Sequence, residues 1–401
     1  MPGLMAWLSV VAAFVVSPNL LFVLGVDYAS EAGSFIEKIH VATLLALGAV
    51  LASAVSRGKL RFSTIPPGIF VPILMFCLMV VMACVYRGIS VTNFVTSMVT
   101  PLLLVLVLDN VGDRERQWIG STVILILFAN SALAIAEQAL EFRLLPRIAG
   151  TTLYSGDLRS VGLLGHPLTA SVITGAYIIH LVIDRLGERL APGLVAQLLL
   201  HGVALLFFGG RLALGATGLL LAIFLIFDGS SAPGRWLAGA RRGLLLLLLG
   251  GMAGAALLSG AADPLIARVI DDEGSALTRL QAFSILGALP WEQLLTGFSA
   301  NEKLTIAQAL GVSPAIEITW LAWVIDYGVP IAVGLVLTLL VLLYCCCERG
   351  RRSHPYMVAL LLISLSGFLG LGGKTLLLGW FVVMLLTLRR PAISPPPPAR
   401  K

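Results

Sequence analysis

The chain has 401 residues, of which 58% are hydrophobic and only 12% charged, against about 25% charged in an average soluble domain. That composition excludes a water-soluble fold and leaves a polytopic membrane protein. The net charge of +6 comes from 27 Lys and Arg against 21 Asp and Glu, and the cations fall a few at a time between apolar runs, which marks them as topology signals and excludes a nucleic-acid surface.

Apolar runs bounded by charge predict twelve spans, near residues 4–26, 39–55, 65–86, 92–108, 118–138, 161–183, 192–208, 212–227, 243–262, 331–347, 355–371 and 375–388. No basic n-region precedes the first, so it reads as a retained span. With both termini cytoplasmic, seventeen of the 27 cations fall on the cytoplasmic side. The other ten, among them Arg159, Arg211, Arg279 and Lys374, fall outside, where the positive-inside bias predicts few. The expected fold is therefore all-α: a polytopic integral membrane protein of about twelve transmembrane helices in one domain, 1–388. It carries one long periplasmic loop with helices, 263–317, and a Pro-rich cytoplasmic tail, 389–401.

In chain order, the first segment with chemical content is Arg159-Ser160-Val161-Gly162-Leu163-Leu164-Gly165-His166-Pro167, at the outer end of the sixth span. His166, before a proline, reads either as structural or as a substrate contact. Glu137 and Asp326 read as pathway or pairing carboxylates, and His180 and His201 as packing residues within spans. Next, Phe208-Gly209-Gly210-Arg211 separates two apolar runs too close for any loop, which predicts a tight hairpin with Arg211 opening the eighth span. That span is about 24 Å long, short of the roughly 30 Å hydrocarbon layer, so the guanidinium is drawn below the outer surface. A helix N-terminus with an arginine on it makes an anion site at headgroup depth; the alternative is an arginine snorkelling to lipid phosphates.

In the long loop, residues 275–289 carry apolar side chains at 277, 280, 283 and 286, a helical stripe bearing Arg279 and ended by Pro290. Ser313-Pro314 then predicts a helix that re-enters the membrane over 314–327 and passes Trp320, Trp323 and Asp326 to Gly328. Glu317 falls in its first turn, either as a general base or as a carboxylate that complements the helix dipole. Arg159, Arg211 and Arg279 come from three external segments and can converge on a diphosphate, whose oxygens their planar forks match; the alternative is that each pairs with a nearby acid. Cys77, Cys84 and Cys345–Cys347 show no metal-ligand or redox spacing, and no metal or cofactor is expected.

Taken together, these residues resemble the bacterial O-antigen ligase and Wzy-type polysaccharide polymerase superfamily. The resemblance rests on Arg159-x-x-Gly162 with His166-Pro167, on Gly210-Arg211 opening a span, and on Arg279 through Pro290 to Gly297 with Glu317 to Gly328 beyond, over about residues 155–345. It implies a GT-C-like membrane glycosyltransferase of the bacterial inner membrane, independent of metal, acting on oligosaccharides carried by undecaprenyl diphosphate. Arg211 and Arg279 would stabilise the leaving diphosphate and Glu317 would deprotonate the acceptor. Arg159, His166, Trp320 and Asp326 would hold substrate. Ligases carry a His-Asn pair where this chain has Glu317-Ile318, which favours a polymerase over an O-antigen ligase. Membrane lipids, a chain-length regulator and a flippase are the implied partners. The rival class is a twelve-helix transporter, which would concentrate polar groups at the midplane and not at the external edge.

Overall fold

The computed structural model describes residues 2–26, 28, 35–146, 148–149, 152–153, 159–185, 192–228, 282–287, 290–311, 316–348, 350–368 and 370–388. Its helices, in chain order, are α1 (Pro2–Val15), α2 (Pro18–Val23), α3 (Val41–Arg57), α4 (Pro67–Arg87) and α5 (Val91–Phe94), the last running through a π-turn (Val95–Val99) into α6 (Thr100–Asp109). There follow α7 (Asp113–Ala139), α8 (Pro167–Arg185), α9 (Pro192–Phe208) and α10 (Arg211–Ile223), which ends in a second π-turn (Phe224–Asp228). The last five are α11 (Trp291–Thr296), α12 (Ala300–Ala309), α13 (Thr319–Cys346), α14 (Ser353–Leu365) and α15 (Leu377–Thr387). Residues 282–287 are also helical. Two strands of two residues each, Ile148–Ala149 and Thr152–Leu153, form a small antiparallel pair. The fold is all-α in substance.

Among the described residues five helical segments are long and apolar enough to cross a membrane: α4, the α5–α6 rod, α7, α8 and α13. The other apolar helices have 11 to 17 residues, or end in a π-turn. The chain faces an apolar surroundings: Met75, Leu78, Met82 and Val85 of α4 and Val333, Leu337 and Tyr344 of α13 are all exposed. A belt of that size on a water-facing protein would drive aggregation, whereas against lipid it needs no partner.

Loop contacts sort the helix ends into two faces. On one, His40 Nε2 donates to the Val16 carbonyl (2.6 Å), Asn19 Nδ2 to the Gly165 carbonyl (2.8 Å) and Lys374 Nζ to the Tyr28 carbonyl (2.6 Å). On the other, Ser63 and Thr64 donate to Asp109 (2.7 Å and 2.8 Å), the Arg61 N–H to Asn110 (2.9 Å), and Arg351 and Ser353 to Asp184 (3.2 Å and 2.9 Å). Helices α3 and α8 each begin at the first face and end at the second. Hydrophobic side chains of α6, α8 and α15 fill the centre, and every residue of α15 from Leu377 to Thr387 is buried.

Two expectations change. The span predicted over 4–26 breaks after Val15, because Ser17 caps α2 by accepting from the Leu20 N–H (3.3 Å) and Pro18 has no N–H to continue α1. The helix predicted to begin at Pro314 begins at Thr319; residues 312–315 lie outside the described set. Ile316 and Ile318 are buried in a small cluster with Phe298, Leu321 and Ile325 while Glu317 between them is exposed. That alternation is the period of an extended strand and not of a helix, and Ile318 is indeed extended (φ −86°, ψ 115°). Finally, α13 is bent at Gly328 (φ 78°), as the predicted helix end required, and then continues to Cys346. Gly328 packs directly on the backbone of Leu295, and a Cβ on Gly297 would stand 2.6 Å from the Gly328 nitrogen. The predicted ninth span 243–262, the tail, Arg268 and Arg279 lie outside the described residues.

Candidate active site

The loop that carries Arg159 is fixed by two buried side chains of α7. Glu137 accepts from the Val161 and Gly162 N–H groups (2.8 Å and 3.1 Å), and Asn130 accepts from Leu163 and Leu164 (2.8 Å and 3.3 Å). These bonds replace the backbone pairing that an irregular segment inside a membrane domain otherwise lacks. Glu137, expected as a pathway or pairing carboxylate, is thus an anchor for this loop. Gly162 has φ 60°, and a Cβ there would lie 2.5 Å from Asn130 Oδ1, so only glycine fits. Glu137→Ala strands two buried donors at about 1–3 kcal/mol each; the thermal midpoint of the purified protein is expected to fall by several degrees, and an unchanged midpoint would contradict the anchoring role.

The anchored loop is joined in turn to the hairpin at Arg211. The Ser160 N–H donates to the Phe207 carbonyl (3.1 Å) and the Ser160 hydroxyl to Ala134 (2.7 Å). Gly209 takes a left-handed conformation (φ 65°), Gly210 stands at the N-cap, and Arg211 is the first residue of α10, as the sequence predicts. Gly210 lies against Ser171 of α8, where a Cβ would stand 2.5 Å from that of Ser171. Arg159 and Arg211, both half-buried, therefore sit on segments that are hydrogen-bonded to each other.

From Arg211 the edge continues into the loop 366–376. Leu212 packs on Gly367, the Thr319 hydroxyl donates to the Phe368 carbonyl (2.9 Å) and accepts from Gly370 (3.1 Å), and Trp320 Nε1 donates to Ser366 (3.0 Å). Trp320 and Trp323 meet edge to face at 5.5 Å. Glu317, two residues before Thr319, is exposed on this face. Asp326 lies apart from it: Lys303 of α12 holds its carboxylate at 2.8 Å, and Arg87 donates to its backbone carbonyl at 3.1 Å. It ties α12 and α4 to α13, which is a pairing role, away from the edge where the resemblance has it hold substrate. Of the packing histidines, His201 Nδ1 lies 2.7 Å from the Ser131 hydroxyl and His180 Nδ1 3.0 Å from Asp184.

Behind this edge the first face is indented by a cavity of about 360 Å³. It forms where α1 stops early, where α3 and α8 begin, and where α15, only 11 residues and about 16 Å long, starts below the surface. His166 lines it, together with Asn19, Tyr28, His40, Asn93 and Lys374. Of these only His166 stood out in the sequence as a site residue. Lys374 was legible only as one of the excess external cations, and Tyr28 and His40 carried no signal, because each belongs to the site through contacts far away in the chain.

No model of a known protein family matches the chain, and no curated protein matches it.

Proposed function

We propose that the chain is a Wzy-type polysaccharide polymerase, making O-antigen or exopolysaccharide. It has twelve spans and cytoplasmic termini, lies in the bacterial inner membrane, and joins undecaprenyl-diphosphate-linked repeat units at the periplasmic face. The observation that carries this reading is the edge described above: Arg159, Arg211, Trp320 and Glu317 stand on segments hydrogen-bonded to or packed against one another, at the face that holds the cavity with His166. An anion-binding edge at headgroup depth beside a polar pocket suits a lipid diphosphate with its sugar inward. Arg159 and Arg211 stand at helix ends and not within the spans, which favours this over a carrier.

The chemistry follows from the residues. An acceptor hydroxyl oxygen attacks the anomeric carbon, the bond from that carbon to the diphosphate oxygen breaks, and the electron pair leaves with the lipid diphosphate. Arg211 and Arg279 stabilise the growing charge, and in a water-poor site such donors act most strongly. Arg159 orients the donor. Glu317 takes the hydroxyl proton, and attack opposite the leaving group inverts the anomeric centre.

A deletion strain tests the reading: single repeat units on the lipid or on lipopolysaccharide are expected, and intact long chains stranded on the carrier would make the protein a ligase instead. Orientation is tested by cysteine labelling in a background lacking the native five. Asn301→Cys, on the exposed face of α12, is expected to react with an impermeant reagent in intact cells, and Ser231→Cys is not; the reverse pattern would invert the topology.

A further inference from the structure

The second face gathers cations of its own. Helix α3 ends with Arg57 before a left-handed Gly58 (φ 68°), and the loop that follows carries Lys59 and Arg61. Backbone groups of that loop bind the turn between α6 and α7: the Arg61 N–H donates to Asn110 Oδ1 (2.9 Å), Asn110 Nδ2 to the Arg61 carbonyl (3.0 Å), and the Thr64 N–H to Asp109 (2.8 Å). Just past that turn Arg114 opens α7, its guanidinium 5.7 Å from the centroid of the exposed Trp118 ring. Arg57, Lys59, Arg61 and Arg114 are all exposed, and among the described residues no acid stands within ion-pair distance of any of them. The acids nearby are engaged elsewhere. Asp109 accepts from Ser63 and Thr64 and faces Arg116 at 4.0 Å, Glu115 lies over Gly3 and Gly112, and Asp113 complements the dipole of α7 from its first position.

An exposed apolar strip leads from these cations into the membrane. Leu51 and Val55 lie on one side of α3, Leu4 and Leu8 on one side of α1, and Leu125 two turns beyond Trp118 on the same side of α7. Helix α1 joins the other two: Met5 packs on Gly48 of α3, and Trp7 Nε1 donates to Thr122 of α7 (2.9 Å). Cations without acid partners above an apolar strip match the two halves of a charged lipid, its headgroup and its chains.

We propose that this patch is a binding site for an anionic phospholipid of the leaflet at the second face, with Arg61 and Arg114 on the phosphate and the chains along α1. The site lies on the face opposite the arginine edge and is independent of sugar transfer.

The test is native mass spectrometry of the purified full-length protein in detergent. It is titrated with phosphatidylglycerol, with phosphatidylethanolamine of the same chains, and with inorganic phosphate as a headgroup without chains. Wild type is expected to hold phosphatidylglycerol about tenfold or more tightly than phosphatidylethanolamine, and inorganic phosphate at matched ionic strength not to displace it. Arg61→Gln and Arg114→Gln are each expected to weaken phosphatidylglycerol about fivefold, the scale of one cation at an anionic surface. Both side chains are exposed and the Arg61 loop is held by backbone groups, so the fold is kept. Arg352→Gln removes an exposed cation elsewhere on the same face and is expected to leave binding unchanged. Equal retention of the two lipids by wild type overturns the proposal with no variant needed. Unchanged binding in both Arg61→Gln and Arg114→Gln overturns it, and so does an equal loss in Arg352→Gln, which would reduce the effect to the net charge of the face. Displacement by inorganic phosphate overturns it as well, by making the patch an ion site.

Discussion

Glu317→Gln is expected to slow the chemical step by about 10²–10⁴-fold while the protein folds, inserts and binds donor as before. Glutamine keeps the size and hydrogen bonding of the side chain and loses only its basicity. The bland explanation of this carboxylate was that it complements a helix dipole, an effect of about 0.3–1 kcal/mol confined to the first turn. The fold weakens that explanation, since Glu317 lies before the helix, on an extended segment that turns Ile316 and Ile318 inward and the carboxylate outward. Single-turnover kinetics with purified protein check the prediction. A glutamine variant within a few-fold of wild type, with chemistry rate-limiting, would remove the base assignment.

For Arg211→Lys, a loss of about 10²-fold or more in turnover is expected, again with the protein folded. Lysine keeps the charge but loses the planar fork that grips two phosphate oxygens. Its position leaves little room for compensation: Gly209 and Gly210 hold the turn tight, and Ser171 closes the space behind it. Polymer length and rate measured at equal protein levels decide the matter, and wild-type behaviour would leave the diphosphate clamp without support. If the guanidinium only snorkels to lipid, lysine substitutes for it and activity persists.

Local signals carried part of the fold. The hairpin before Arg211 follows from two apolar runs with only glycines between them, and the bend at Gly328 from a glycine followed by Pro330. Both are decided within a few residues. The break after Val15 was equally local, since Ser17-Pro18 is a cap followed by a helix-starting proline, but uniform hydropathy on both sides hid it. The start of α13 was hidden for a different reason. Ser313-Pro314 is a good start signal, yet Ile316-Glu317-Ile318 alternates with period two, and the Thr319 hydroxyl is bonded 49 residues away at Phe368. Such long-range bonds leave no periodicity to read. The same holds for Glu137 and Asn130, which look like stray polar residues in a span until the loop 161–164 is seen to hang from them. The site was legible where a charge stood out against apolar sequence, and illegible where a neutral ring or a buried amide did the positioning.

The most direct measurement is turnover by the protein alone. Purified in detergent and supplied with undecaprenyl-diphosphate-linked repeat units, it is expected to produce a ladder of longer lipid-linked chains and to release free undecaprenyl diphosphate, with no metal or second protein added. A protein that is folded by thermal denaturation and binds the donor, but leaves the repeat units single, would contradict the account.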